Sequence, residues 1–463
     1  MTIKEYIDSN FSTILDDIIS IIKIKSVKSD ATVNAPFGED IKKCLDSTLD
    51  LAKRLGFRVK NLDNYIGYAE IGEGEEYIAI LGHLDVVPEG DISKWIVYPY
   101  SGSIINNCLV SRGAIDNKSP IISSLHSIKA LLAQYPNFNK RVRIIFGTNE
   151  ESGDEDIKYY LEREKAPKYA FTPDGRFPVI FSEKGIYTFS FSSKINLESS
   201  CILKIESGSR SNIVPELAKV FLKKSLLDKV QSAISSIKSD CTFNMSEFDD
   251  YLCVDINGKS AHASSPYKGI NALLGMYIFL DMVLDDNDSC KKFVSFISKN
   301  ISDTTDGKLL GIDAQNEEVG DLTISAGITH IVNDDEIFVK FNVRYPISIT
   351  ESFLDETLNN KANENGVLFK KENHNPPLYF PKDSILVRTL QNVYKDVTNR
   401  EEEPASLGGG TYAKLMPNTV AFGPNYKEFN GNAHSFDECI DLDILKVGIE
   451  IYAKSILSLS EHI

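Results

Sequence analysis

The sequence has no long apolar run: no window of about 18 apolar residues occurs, and acidic residues interrupt the first ten positions. We therefore expect neither a membrane-spanning helix nor a signal peptide. Basic residues are also scarce, since 50 Lys and Arg stand against 66 Asp and Glu and give a formal net charge of −16. An acidic surface repels phosphate backbones and anionic lipid headgroups, so we expect no nucleic-acid partner and no membrane partner.

The seven cysteines are widely spread along the chain and form no Cys-x-x-Cys motif. This pattern predicts neither a disulfide framework nor a structural zinc knuckle, and it favours the reducing cytoplasm. The sequence also has no internal repeat and no low-complexity stretch. With 463 residues, of which 42% are hydrophobic and 25% charged, it is an ordinary globular chain, long enough for two or three domains.

The order of the predicted elements is that of an α/β domain. The first 55 residues predict two helices, the first of them on an apolar stripe that runs from Ile3 to Ile19. Strands and helices then alternate, with strands over 57–62, 65–71, 77–81, 141–147 and 169–172 and helices over 121–132 and 156–164. Such alternation predicts a mixed, largely parallel sheet with helices on both faces.

The middle of the chain has a different pattern, which predicts an inserted α+β domain over 185–379. Its predicted elements are strands over 322–331 and 336–345 and helices over 215–235 and 269–283. The α/β pattern then returns, with a helix over 384–397, a strand over 419–423 and a helix over 442–457. We therefore predict a discontinuous α/β domain formed by 1–184 and 380–463.

Side chains that can bind metals follow the predicted strands of this domain. In α/β sheets, ligands gather beyond the carboxyl ends of the strands. The candidates are His83, Asp85, Asp116, Glu150, Glu151, Asp174 and His434. Each one alone is more often a packed or capping residue. Together they match two divalent ions about 3.5 to 4 Å apart with mixed nitrogen and oxygen ligands, a set that suits zinc, manganese or cobalt.

Four segments, in this order, closely resemble the signature set of the peptidase V-type metallodipeptidases. They are Gly82–Gly90, Arg112–Lys118, Asn149–Gly153 and Gly431–His434. This group belongs to the wider superfamily of carnosinases, aminoacylases and glutamate carboxypeptidases. The resemblance spans almost the whole chain and implies a di-metal peptidase catalytic domain with an inserted lid domain. It also implies a monomer, because one long lid serves there within a single chain.

The resemblance implies a division of the metal ligands between two ions. His83 and Asp174 would bind one divalent ion, Glu151 and His434 would bind the other, and Asp116 would bridge the two. Zinc is the first expectation for both positions, with manganese and cobalt as alternatives.

The resemblance also implies catalytic and substrate-binding roles. Asp85 would orient His83, and Glu150 would be the general base that activates a metal-bridging water. In the lid, His262 would stabilise the oxyanion and Arg344 would bind the substrate carboxylate. Asn212 would contact the substrate, although it could instead cap the predicted helix that begins at Pro215.

The glycine-rich segment that ends at Thr411 is a further candidate. Gly409, Gly410 and Thr411 resemble a family loop that faces the substrate's C-terminal carboxylate. The segment lacks the Gly-Lys-Ser/Thr ending of a P-loop, which argues against a nucleotide. One departure from the family lies beside the bridging residue, where Asn117 and Ser119 stand in place of the common Asp and Gly.

These residues lead to one main functional hypothesis: a cytoplasmic, dinuclear metal-dependent dipeptidase acting on dipeptides with free amino and carboxyl ends. One alternative is an N-acyl amino-acid deacylase or desuccinylase, which shares the metal chemistry but recognises an acyl group where a dipeptidase recognises an ammonium. Another is a non-catalytic binding protein with the same fold, against which the intact Glu150 argues.

Overall fold

A computed structural model describes residues 1–301 and 304–463. The chain divides into two compact units, which are described separately. The first unit consists of Met1–Ser182, Tyr379–Ala405 and Thr411–Ile463, and the second of Glu183–Leu378 and Ser406–Gly410. The sequence placed all of 380–463 in one domain, whereas Ser406–Gly410 packs with the second unit. Within the described residues, no helix is both long and apolar enough to cross a membrane.

The first unit contains a sheet whose central strands are parallel. Its strands follow the order Arg58–Leu62, Ile66–Ile71, Lys140–Gly147, Glu73–His83, Tyr169–Thr172, Thr419–Ala421 and Ile180–Glu183. Two further short strands, Leu378–Tyr379 and Ala405–Leu407, span points at which the chain passes from one unit to the other. Strand Glu73–His83 is parallel to both of its neighbours, and Thr419–Ala421 is parallel to Tyr169–Thr172. The outer pairs are antiparallel. The predicted mixed α/β architecture is confirmed.

Helices and small sheets complete the first unit. The helices are Ile3–Ile22, Glu39–Arg54, Lys118–Gln134, Glu155–Leu161, Ile385–Thr398 and Leu442–Leu459. The short strands are Ser103–Ile105, Cys108–Val110 and Cys439–Asp441 in one small sheet and Gly175–Arg176 and Pro424–Asn425 in another. Helix Ile3–Ile22 begins with a capping box formed by Thr2 and Glu5. Helix Lys118–Gln134 is buried over most of its surface, because it packs between the first and last helices.

The second unit is built on an antiparallel sheet. Its strands follow the order Thr242–Glu247, Tyr251–Asn257, Leu217–Lys223, Ile202–Ser207, Thr323–Val332, Glu336–Tyr345, Gly185–Lys194 and Leu368–Asn375. The helices are Leu227–Ser236, Ala272–Val283, Lys291–Ile301 and Glu351–Asn365. Apolar residues of these helices and of the sheet form one buried core. A separate two-stranded ribbon pairs Ile213–Val214 with Ala261–His262.

One predicted element of the second unit is wrong. The sequence predicts a helix over 215–235, but Leu217–Lys223 is a strand and the helix begins only at Leu227. The strand alternates buried and partly exposed side chains, with Ala218, Val220 and Leu222 inside. This period of two is typical of a strand, and it outweighs the weak helical preference of the segment. Asn212 therefore precedes the strand Ile213–Val214 and does not cap a helix.

Candidate metal centre

Three parallel strands of the first unit end at the same edge of the sheet and carry most of the candidate ligands. His83 is the last residue of its strand and lies opposite Gly147, which ends the next strand. Glu150 and Glu151 follow Gly147 in a short 3-10 turn, and Asp174 follows the strand that ends at Thr172. Parallel alignment therefore brings together side chains that are far apart in the sequence.

Asp116 lies between the two histidines. Its Oδ1 is 2.9 Å from Nε2 of His83, and its Oδ2 is 2.9 Å from Nε2 of His434. Nε2 of His83 is also 3.7 Å from Oδ2 of Asp174, and Nε2 of His434 is 3.0 Å from Oε1 of Glu151. The two oxygens of the Asp116 carboxylate thus face two different histidines, an arrangement suited to a ligand that bridges two ions.

The environment of His83 fits a metal ligand. Its Nδ1 is 2.9 Å from the backbone carbonyl of Asp85, so Nδ1 carries the proton and donates it. Its buried Nε2 is 2.9 Å from Oδ1 of Asp116 but forms no well-aligned hydrogen bond with the described residues, which suits a nitrogen that binds a metal. Ligand atoms of His83, Asp116 and Asp174 lie within 4.8 Å of one another, as do those of Asp116, Glu151 and His434. These two sets, which share Asp116, fit two divalent cations.

Asp85 also holds the segment that carries the two glutamates. Its carboxylate accepts the backbone N–H of Glu150 at 3.2 Å and that of Glu151 at 3.1 Å. The same carboxylate is 3.5 Å from Nδ1 of His83. Asp85 therefore connects the ends of two neighbouring strands and fixes the direction in which Glu150 and Glu151 leave the sheet.

The carboxylates of the site make its potential strongly negative. Burial raises the pKa of Glu150 well above its usual value, and Asp174, Glu151 and Asp116 raise it further against the opposing effect of His83. Hydrogen bonds to Asp116 and Glu151 raise the pKa of His434 to about 11. Such a cluster needs compensating positive charge, which divalent ions would supply.

Two residues that the sequence did not single out hold the loop of Asp116. Oε1 of the fully buried Glu438 accepts the backbone N–H groups of Ile115 and Asp116, both at 3.1 Å. Its Oε2 accepts a hydrogen bond from Nη1 of Arg112 at 2.6 Å. The Arg112 guanidinium also stacks over the ring of Trp95 at 5.2 Å. Arg112 begins the segment Arg112–Lys118, and Glu438 lies four residues after the segment Gly431–His434. Their closeness to these family-like segments is the sequence signal that could have identified them.

Glu438→Gln is expected to lower the free energy of unfolding by about 3–5 kcal/mol, because it leaves the buried guanidinium of Arg112 without a counter-charge. Chemical denaturation of the metal-free protein measures the effect. The matched control is Glu461→Gln at an exposed position, which should change the free energy by less than about 0.5 kcal/mol. A loss below about 1 kcal/mol for Glu438→Gln would mean that this ion pair contributes no more than a surface pair.

A second buried pair, Asp156 and Tyr412, contacts the backbone just before the two glutamates. The carboxylate of Asp156 accepts the backbone N–H of Thr148 at 2.6 Å and of Asn149 at 3.0 Å, and it also accepts a hydrogen bond from the hydroxyl of Tyr412. Burial, followed by the charge of Asp85, raises the pKa of Asp156 to about 7. The ring of Tyr412 fills the space beside Gly147, where a Cβ atom would lie 2.3 Å from its hydroxyl oxygen.

Asn117 has a clear structural role. Its side-chain Oδ1 accepts the backbone N–H of His83 at 3.3 Å, and its Nδ2 donates to the carbonyl of Pro173 at 2.5 Å. The amide thus links the strand end of His83 to the segment just before Asp174, using one acceptor and one donor. A carboxylate in its place would offer only acceptors at neutral pH.

The second unit brings together the other candidates, Asn212, His262 and Arg344. Ile213 pairs with His262 in the ribbon, and the carbonyl of Asn212 accepts the N–H of Ala263. The carbonyl of Ala263 in turn accepts a hydrogen bond from the hydroxyl of Thr323, the strand partner of Arg344. The Nδ1 atom of His262 is 2.8 Å from the hydroxyl of Ser264.

The glycine segment is divided between the units. Gly408, Gly409 and Gly410 belong to the second unit, where the carbonyl of Gly408 accepts a hydrogen bond from Nη1 of Arg344 at 3.1 Å. Thr411 belongs to the first unit and caps the 3-10 turn Tyr412–Lys414 through its hydroxyl. Gly408 has no room for a side chain, because a Cβ atom there would lie 2.8 Å from Cβ of Ser264.

Known proteins resemble this chain over nearly its whole length. The family model described as "Peptidase family M20/M25/M40" matches residues 79–458. The putative dipeptidase YtjP of Bacillus subtilis is 33% identical over 456 residues, which cover 97% of each chain. A putative dipeptidase of Staphylococcus epidermidis is 32% identical and covers 98% of this chain and 99% of its own.

Solved structures share the fold. Human carnosine dipeptidase 1 is similar with a TM-score of 0.60 at 15% identity and covers 99% of both chains. The dipeptidase Dug1p of Saccharomyces cerevisiae is similar with a TM-score of 0.62 at 13% identity and covers 99% of this chain and 98% of its own. These likenesses confirm the predicted fold class. The family match and the relatives identify the chain as a metal-dependent peptidase, and it belongs to peptidase family M20/M25/M40.

Proposed function

We propose that this metallopeptidase is a dinuclear metal-dependent dipeptidase that hydrolyses dipeptides with free amino and carboxyl ends. The observation that carries the proposal is the position of Asp116, whose two oxygens each lie 2.9 Å from Nε2 of a different histidine. The names of the two relatives support the substrate class, since both are called putative dipeptidases.

In this proposal, His83 and Asp174 hold one ion, Glu151 and His434 hold the other, and Asp116 bridges them. Zinc is the first choice, and manganese or cobalt suits the same donors. When bound, such ions supply Lewis-acid activation of a water molecule and of the scissile carbonyl. The protein's part is to fix the ligands, and the hydrogen bonds that His83 donates to the Asp85 carbonyl and to the Asn117 side-chain oxygen do this at the strand end.

Glu150 is the proposed general base. Its carboxylate lies within 4.8 Å of ligand atoms of His83 and Glu151, close enough to the proposed ions to accept a proton from the attacking water and return it to the leaving amine. The bond between its backbone N–H and the Asp85 carboxylate holds it in place during both transfers. Glu151, the next residue, is 3.0 Å from His434 and is used as a metal ligand. Adjacent residues thus have different roles.

The second unit supplies the proposed groups for substrate recognition. Arg344 binds the free carboxylate of the dipeptide, for which its planar fork of donors is suited. His262 donates a hydrogen bond to the oxyanion, a contact worth about 2.7–4 kcal/mol in the transition state. Asn212 and the glycine segment Gly409–Thr411 provide further polar contacts to the substrate.

Removal of the metals tests the proposal directly. Chelation is expected to abolish the hydrolysis of a dipeptide panel, and addition of Zn²⁺, Mn²⁺ or Co²⁺ is expected to restore it. N-acetylated versions of the same dipeptides should be cleaved at least about tenfold more slowly, because the acyl group removes the ammonium that a dipeptidase recognises. Faster cleavage of the acetylated compounds would instead identify a deacylase. Absence of turnover in protein that holds both ions would refute the proposal.

We further propose that the protein works as a cytoplasmic monomer. The seven cysteines are free thiols in the structure, which supports a reducing compartment. Light scattering coupled to size-exclusion chromatography measures the mass in solution. A mass near 51.6 kDa supports a monomer, and a mass near twice that value contradicts it.

A further inference from the structure

Arg344 is a buried cation that has no carboxylate partner among the residues that the structure describes. Only 4% of its surface is exposed. Among residues 1–301 and 304–463, no Asp or Glu forms a recorded ion pair with it. Burial consequently lowers its pKa. Most buried charges in proteins are paired, so this arrangement requires an explanation.

Two neutral groups orient the guanidinium. Its Nε donates to Oδ1 of Asn342 at 2.7 Å, and its Nη1 donates to the carbonyl of Gly408 at 3.1 Å. These bonds use two of the five N–H donors of a guanidinium and leave three without a recorded partner among the described residues. The remaining donors are sufficient to hold one carboxylate at two points.

Asn342 is itself held in one orientation. It is 3% exposed, and its Nδ2 donates to the hydroxyl of Thr188 at 3.3 Å. Thr188 is the strand partner of Asn342, so the two side chains lie on the same face of the sheet. The amide therefore presents its oxygen, and not its NH₂ group, to Arg344.

We propose that Asn342 is a positioning residue that determines specificity for a free substrate carboxylate, because it orients Arg344 without neutralising it. The inference rests on the proposed function, in which Arg344 binds that carboxylate. An aspartate has nearly the same shape as an asparagine, and at 2.7 Å from Nε it would form a permanent internal ion pair. A neutral amide keeps the geometry and leaves the charge for the substrate.

The test is Asn342→Asp in the metal-loaded enzyme. The quantity measured is the ratio of kcat/KM for the best dipeptide of the panel to kcat/KM for its C-terminal amide. We expect the ratio to fall by about tenfold or more, mainly through a higher KM for the dipeptide, because the new carboxylate competes with that of the substrate. Parallel losses for both substrates, with an unchanged ratio, would assign Asn342 a purely structural role and overturn the inference.

The matched control is Asn244→Asp, the same substitution at an exposed position on Thr242–Glu247, an edge strand separated by four strands from that of Asn342. It should leave the ratio within about twofold of wild type. A double-mutant cycle provides the second control: in an Arg344→Ala background, Asn342→Asp should have no further effect on the ratio. Additive effects would refute the coupling between the two residues.

The outcomes separate the two proposals. If the wild-type enzyme cleaves dipeptides and their amides equally well, the proposed recognition of a carboxylate fails whatever Asn342 does. If the wild type prefers the dipeptide and Asn342→Asp does not alter that preference, only the inference about Asn342 fails. If Asn342→Asp does not fold, Asn342→Ala replaces it; this variant removes the acceptor for Nε and should lower the same ratio, and an unchanged ratio would refute the inference.

Discussion

Glu150→Gln is expected to lower kcat by roughly 10³-fold while both metal ions remain bound, because a glutamine cannot accept the proton of the attacking water. The substitution keeps the shape of the side chain. It also keeps the backbone N–H that donates to Asp85 at 3.2 Å, so the position of the turn should not change. Steady-state kinetics on the best dipeptide, together with metal analysis of the same samples, measures both parts of the expectation.

The result also separates two roles that adjacent glutamates could exchange. Ligand atoms of His83, Glu150 and Glu151 lie within 4.8 Å of one another, so proximity alone does not decide which carboxylate is the base. Loss of metal from Glu150→Gln would mean that Glu150 is a ligand and that Glu151 is the base. Glu155→Gln, at the exposed first residue of helix Glu155–Leu161, is the matched control and should retain wild-type activity and metal content.

Asp116→Asn is expected to release both metal ions and to lower activity to the level of the chelated enzyme. One oxygen of Asp116 faces His83 and the other faces His434, so its negative charge serves both ligand sets. A neutral amide offers one weak acceptor oxygen and turns an NH₂ group toward the other ion. Metal content by mass spectrometry after dialysis, and turnover with excess Zn²⁺, measure the effect.

Asp116→Asn can be compared with a matched control at a surface aspartate. Asp40→Asn, at an exposed position near the start of helix Glu39–Arg54, should bind both ions and keep full activity. Retention of one tightly bound ion by Asp116→Asn would mean that Asp116 belongs to a single ligand set. The proposed dinuclear arrangement would then have to be replaced by a mononuclear one.

The sequence predicts the centre of the first unit well because local pattern and tertiary position agree there. Strand Tyr169–Thr172 has the bounds predicted for it, and the strand that ends at Gly147 differs by one residue. Tyr169–Thr172 is a short, largely apolar run, and Lys140–Gly147 ends in the apolar run Ile144–Phe146. Turn residues follow both strands, so their buried ends can be recognised from the sequence. Once the strand ends are known, the parallel arrangement places the candidate ligands at one edge.

The sequence predicts less where contacts join distant residues. Arg112 and Glu438 are 326 positions apart, and neither has a local pattern that identifies its partner. In the second unit, the strand Leu217–Lys223 is short and partly exposed, and its two lysines, Lys219 and Lys223, weaken its apolar signal. Its assignment depends on its two neighbouring strands, which only the folded sheet provides.

The anchoring of Asp116 by Glu438 has a consequence for the order of assembly. The backbone N–H of Asp116 is held by a residue 322 positions later, and His434 lies only four positions before that residue. While residues 434–438 are still inside the ribosome, a nascent chain lacks the ligand His434. It also lacks Glu438, which anchors the backbone of Asp116, although His83, Glu151 and Asp174 have already emerged. High-affinity metal loading should thus wait until the segment that carries His434 and Glu438 has left the ribosome.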